Sequence, residues 1–160
     1  MPTWLKWNSA KKRVEMIIRS GYNGNNGSWN FNGYYEGGAT VVVPKGVTVS
    51  FRFENYDGNV PHSLLVTKPY TEEEMPDIAG RDHVAVVRAY TRSPDFGCNS
   101  CTETVRFKTK KAGKFYFLCG VVGHAHAGMW IGFEISEDAE EPYVLFSDDV
   151  MVADDQPPWQ

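Results

Sequence analysis

Long apolar runs, helix-length periodic segments and a cationic excess are all missing from this 160-residue chain. No stretch reaches 18 consecutive apolar residues, so no segment is expected to span a membrane. The first residues lack a basic patch followed by an apolar core, and no leader or anchor is expected within the chain. Net charge is −4, which disfavours nucleic acid as a partner. Cysteines are few, three in all, and a chain of this length buries enough surface to fold without a staple.

What is present fits one folded domain. The chain is 42% hydrophobic and 22% charged, the composition of a globular protein and not of a disordered one. Charge is segregated. Residues 137–160 carry eight acids and no Lys or Arg, so the preceding 136 residues hold 12 acids against 16 bases. A basic body with an acidic extension allows charge-guided docking, or simply a solvated tail.

Short segments rich in Val, Ile, Phe and Tyr recur between Gly, Asn, Asp and Pro clusters. Strands are expected at Val14–Arg19, Thr40–Val43, Val47–Phe53, His62–Thr67, Val84–Tyr90, Thr104–Thr109, Lys114–Leu118 and Trp130–Ser136. Val47, Val49, Phe51 and Phe53 alternate with Thr48, Ser50 and Arg52, as in a strand with one face on a core and one in water. Thr71–Met75 offers one capped helical turn ended by Pro76. Tyr143–Phe146 and Val150–Val152 are weaker candidates for a late strand. With no crossover helices in sight, the expected class is an all-β antiparallel Greek-key sandwich.

The chemistry concentrates in Phe115–Trp130, FYFLCGVVGHAHAGMW. An apolar strand ends in Cys119, a glycine-rich loop carries His124, and Met129 precedes the next strand, a Cys-x4-His-x4-Met spacing. His62 stands far upstream in NVPHSLLV. Two imidazoles, a thiolate and a weak axial thioether are the donor set of a blue-copper electron-transfer centre. Gly120, Gly123 and Gly128 let the loop curl around a single ion. Each donor alone would read as an ordinary core residue; their combination between two strands points to His62, Cys119, His124 and Met129 as ligands. His126 lies too close to Met129 to share the ion with it, and is read as facing solvent or lying beside the site. His83 is read as a surface residue. Cys98 and Cys101, in DFGCNSCTE, are read first as a small disulfide that fixes a turn in an oxidising compartment.

These pieces resemble the cupredoxins, and most of all the sulfocyanin and rusticyanin branch from acidophiles. NFNGYYEGGATVVVPKG, VTVSFRFENYDGNVPHSLLV and CGVVGHAHAGMW, all within Asn30–Trp130, carry the resemblance. It implies one copper ion per chain on His62, Cys119, His124 and Met129. It also implies that Ser63, with Gly120 beside the ligands, hydrogen-bonds across to the cysteine-bearing loop, as in a centre of high potential. Against the family pattern, a cupredoxin domain is expected over residues 1–136, with an insertion around 69–102 and an acidic extension over 137–160.

The function so implied is one-electron transfer without substrate turnover, in an extracytoplasmic respiratory chain. The donor would be a cytochrome or an iron-oxidising component, and the acceptor a terminal oxidase. Electrons would leave through the His124 ring edge, inside an apolar docking patch of Val121, Val122, Ala125 and Ala127. A copper oxidoreductase fragment would need more imidazoles than four histidines supply, and a copper chaperone or store would favour more labile sites.

Overall fold

The computed structural model describes residues 1–147. Among these residues nine strands build two sheets: β1 (Leu5–Asn8), β2 (Arg13–Ser20), β3 (Ala39–Pro44), β4 (Thr48–Asn55), β5 (Leu65–Thr67), β6 (Thr102–Lys108), β7 (Gly113–Leu118), β8 (Trp130–Ser136) and β9 (Tyr143–Phe146). One sheet runs β1-β2-β4-β6 and the other β5-β7-β8-β3-β9. Among the described residues, helix is confined to two short 3₁₀ turns, Asn25–Ser28 and Arg81–His83.

The alternation in β4 puts Val49, Phe51 and Phe53 wholly inside, while Thr48, Ser50 and Arg52 face outward. Phe51 meets Phe107 of β6 and Phe117 of β7, and Phe117 stacks on Phe133 of β8 with ring centroids 4.5 Å apart. Aromatic contacts thus bridge the two sheets. Fully burying each such ring contributes roughly 1.5–3 kcal/mol.

The sandwich is the expected one, with mixed rather than wholly antiparallel sheets. β2 pairs with β4 in parallel, and β3 with β8 in parallel. No crossover helix is needed, because the chain goes from β2 to β4 by way of β3 in the opposite sheet. Two expected strands are shorter or absent. Only Leu65–Thr67 of the His62–Thr67 segment is a strand, and His62 makes an isolated bridge to Cys98. Val84–Tyr90 is not a strand: Arg88 takes a positive φ of 69°, and the segment loops over β5 through Ala85 N–H to Val66 C=O and Val66 N–H to Ala89 C=O. Thr71–Glu74 forms the expected reciprocal side-chain contacts as a hydrogen-bonded turn without extending into a helix. Of the weaker candidates, Tyr143–Phe146 is β9 on the edge of β3, and Val150–Val152 lies outside the described residues.

Candidate metal centre

β7 delivers Cys119 at its end, and the loop to β8 is wound by its own backbone bonds. His124 N–H donates to Val121 C=O, Met129 N–H to His124 C=O and Cys119 N–H to Met129 C=O. Gly123 (φ 78°) and Gly128 (φ 99°) take the left-handed conformations that let so short a loop close. His62 approaches from the segment before β5. Cys119, His62 and Met129 are completely buried and His124 almost so.

Three of the four expected ligands point donor atoms at one another. His62 Nδ1 lies 3.2 Å from His124 Nδ1, Cys119 Sγ lies 3.3 Å from His124 Nδ1, and Cys119 Sγ lies 3.9 Å from His62 Nδ1. A triangle with these sides places all three donors about 2.0 Å from one central point, close to ordinary metal–nitrogen and metal–sulfur bond lengths. Met129 lies on the same loop, its backbone bonded to both Cys119 and His124.

The electrostatics favour a cation there. Burial pushes the Cys119 thiol up to about 11, so a thiolate needs a positive partner to form. Burial, and then the neighbouring His62, lower His124 to about 4. Burial also lowers His62, opposed by the Asp57 carboxylate. Both imidazoles are therefore neutral around pH 7, as metal ligands must be. Thiolate and imidazole suit copper and zinc alike, and adding the thioether of Met129 tilts the set toward copper.

Ser63 bonds across to the cysteine-bearing loop. Its backbone N–H points at Cys119 Sγ (3.4 Å), and its hydroxyl accepts from Gly120 N–H (2.9 Å) while donating to Pro94 C=O (2.6 Å). Gly120 has a reason of its own. A Cβ there would collide with Ala79 O and come within 2.5 Å of Pro94 O. The 69–102 segment therefore presses on the ligand loop, and Ala79 N–H to Gly120 C=O and Gly123 N–H to Asp77 C=O fasten it.

Two expectations about the surface need correction. Val121 and Ala125 are buried, because they pack into the sandwich and under the loop; only Val122, 59% exposed, and Ala127 can form a docking face. Nor does the His124 edge reach solvent: Trp29 packs against it edge-on, with ring centroids 3.9 Å apart. Asn26 fastens that aromatic cover by donating from Nδ2 to both Trp29 C=O and Ala127 C=O. His126 is exposed, and His83 accepts the Gly80 N–H on Nδ1. Cys98 and Cys101 form the expected disulfide.

Sequence reasoning missed Trp29 and Asp57, the latter 2.6 Å from His62 Nε2. An acid in the turn DGNVPH, five residues before the histidine, was the available signal for Asp57. Nothing in the pattern tied Trp29 to a loop about a hundred residues away.

A Greek-key sandwich in which one loop and the upstream His62 together supply a buried thiol, two imidazoles and a methionine is a cupredoxin, and its donor set is a type 1 copper site for one ion per chain. Residues 2–146 match the sulfocyanin (SoxE) domain model. The chain belongs to the sulfocyanin family. It is 28% identical to the sulfocyanin of Sulfolobus acidocaldarius over 143 residues, covering 87% of this chain and 71% of that protein. It is also 32% identical to the rusticyanin of Acidithiobacillus ferrooxidans over 94 residues, covering 57% of this chain and 46% of that protein. A reduced rusticyanin structure superposes with a TM-score of 0.55 at 23% identity, over 78% of this chain and 80% of that one, and so shares the fold. Among the described residues, no helix is long and apolar enough to cross a membrane.

Proposed function

We propose that this protein is a one-electron carrier in which His62, Cys119 and His124 would hold copper as strong donors and Met129 as a weak one. Copper bound there would supply a Cu(I)/Cu(II) couple. The observation that carries this is the triangle of buried donors. The protein's part is rigidity: the loop is bonded to itself and fastened by the 69–102 segment, so the donors need move little between oxidation states. The Ser63 N–H stabilises negative charge on the Cys119 sulfur and so tempers its donation.

Electrons would cross where Trp29 packs on the His124 ring, with the exposed Val122 and Ala127 on the same loop as His124. Such redox contacts are small, below about 1,200 Å² in total, so partners leave quickly. By resemblance the protein works outside the cytoplasm in a respiratory chain. A cytochrome or iron-oxidising component would donate, a terminal oxidase would accept, and no substrate would be turned over. In this scheme residues 1–136 are the cupredoxin domain, 69–102 an insertion that braces the site, and 137–160 an acidic extension whose Tyr143–Phe146 packs on the domain as an edge strand. The test is voltammetry of copper-loaded protein at one ion per chain. A reversible one-electron wave is expected. An irreversible wave, or catalytic current with dioxygen, would argue for an oxidoreductase instead.

A further inference from the structure

We propose that Asp57 is a positioning residue for the copper site: its carboxylate fixes the His62 tautomer and strengthens that imidazole as a donor. This rests on the copper-carrier function proposed above. Asp57 Oδ2 lies 2.6 Å from His62 Nε2, while His62 Nδ1 faces Cys119 and His124. A carboxylate can only accept, so the ring proton sits on Nε2 and the Nδ1 lone pair is left for the metal. His62 is completely buried, so no water offers Nε2 an alternative partner.

Asp57 is itself held in place. Its N–H donates to Asn55 Oδ1, its C=O accepts from Val60 N–H, and the next residue's carbonyl accepts from Ser100 Oγ. Asn55 Nδ2 donates to Val60 C=O and Cys98 C=O, closing the turn over β4. The opposite wall is Gly21, at φ +63°, where a Cβ would come within 2.5 Å of Asp57 Cβ. Glycine leaves the space that the aspartate occupies.

The two imidazoles are therefore unequal. His62 is backed by a carboxylate, whereas among the described residues no carboxylate pairs with His124, whose neighbours are Trp29 and His62. A carboxylate behind a ligating imidazole raises its basicity and favours the more highly charged metal state. Asp57 thus lowers the reduction potential relative to a site without it, in opposition to the effect of Ser63 on the thiolate.

The test uses three variants of the full chain. In Asp57→Asn the amide oxygen can still accept the proton but the charge is gone; in Asp57→Ala both are gone; Gly21→Ala displaces the aspartate sterically. Nitrogen-resolved NMR of the metal-free protein reads the tautomer. His62 is expected as Nε2–H in the wild type and in Asp57→Asn, and as a tautomer mixture in Asp57→Ala and Gly21→Ala. Loaded with copper, both Asp57 variants are expected to show a reduction potential shifted upward. An Nδ1–H tautomer in the wild type, or an unmoved potential in Asp57→Asn, overturns the proposal. If instead the wild type takes up no copper, the copper-carrier reading fails while the tautomer result still judges Asp57.

Discussion

Gly120→Ala tests how the copper loop is held. The added methyl would overlap Ala79 O and stand 2.5 Å from Pro94 O, below the 3.0 Å that Cβ atoms essentially never breach. Both obstacles are backbone oxygens of residues held in place: Pro94 O accepts from Ser63 Oγ, and Ala79 is tied to Gly120 C=O through its N–H. Neither can swing aside like a side chain, so the ligand loop or the 69–102 segment must retreat. Overpacking of this kind costs typically 1–3 kcal/mol, and backbone obstacles place Gly120→Ala near the upper end, about 3 kcal/mol. In a chain of this length that corresponds to roughly 6–12 °C in Tm. Calorimetry of the metal-free variant measures it, and the visible spectrum of the copper-loaded variant reports whether Cys119, the preceding residue, keeps its place. A variant as stable as wild type, with an unchanged thiolate-to-copper band, would refute the clamp.

The remaining predictions concern acid and the docking face. Metal-free protein should lose stability as pH falls from 6.5 through about 4, because the folded state holds His124 neutral to about 4 while the unfolded chain takes up the proton near its ordinary value. His62 is shifted in the same direction. The unfolding free energy from denaturant titration should fall by about 3 kcal/mol between pH 7 and pH 4, and a midpoint that stays flat over that range would contradict it. Val122→Asp, on the exposed rim of the loop, should slow electron exchange with a protein partner without altering the visible spectrum. Unchanged exchange kinetics would move the docking face elsewhere.

Patterns that run along the chain were legible in advance, and patterns that run across it were not. The alternation from Val47 to Phe53 reappears as alternating burial in β4, since a half-buried strand writes its two faces into successive residues. The Cys-x4-His-x4-Met spacing was legible for a similar reason: three donors on one short loop lie close together whatever the rest of the fold does. Parallel pairing of β2 with β4 was hidden, because it arises from a chain that changes sheets between them. Val84–Tyr90 has the composition of a strand, but one residue with positive φ turns it into a loop. The cover by Trp29 and the buried state of Val121 depend on which way a long loop folds back, and local residue type does not encode that.

Titration of the metal-free protein with Cu(II), followed in the visible range, measures whether these donors share one ion. An intense thiolate-to-copper band that saturates at one equivalent, and that is absent in Cys119→Ser, is the predicted result. Copper bound with only the weak absorption of nitrogen and oxygen ligation, or a band that survives Cys119→Ser, would contradict it.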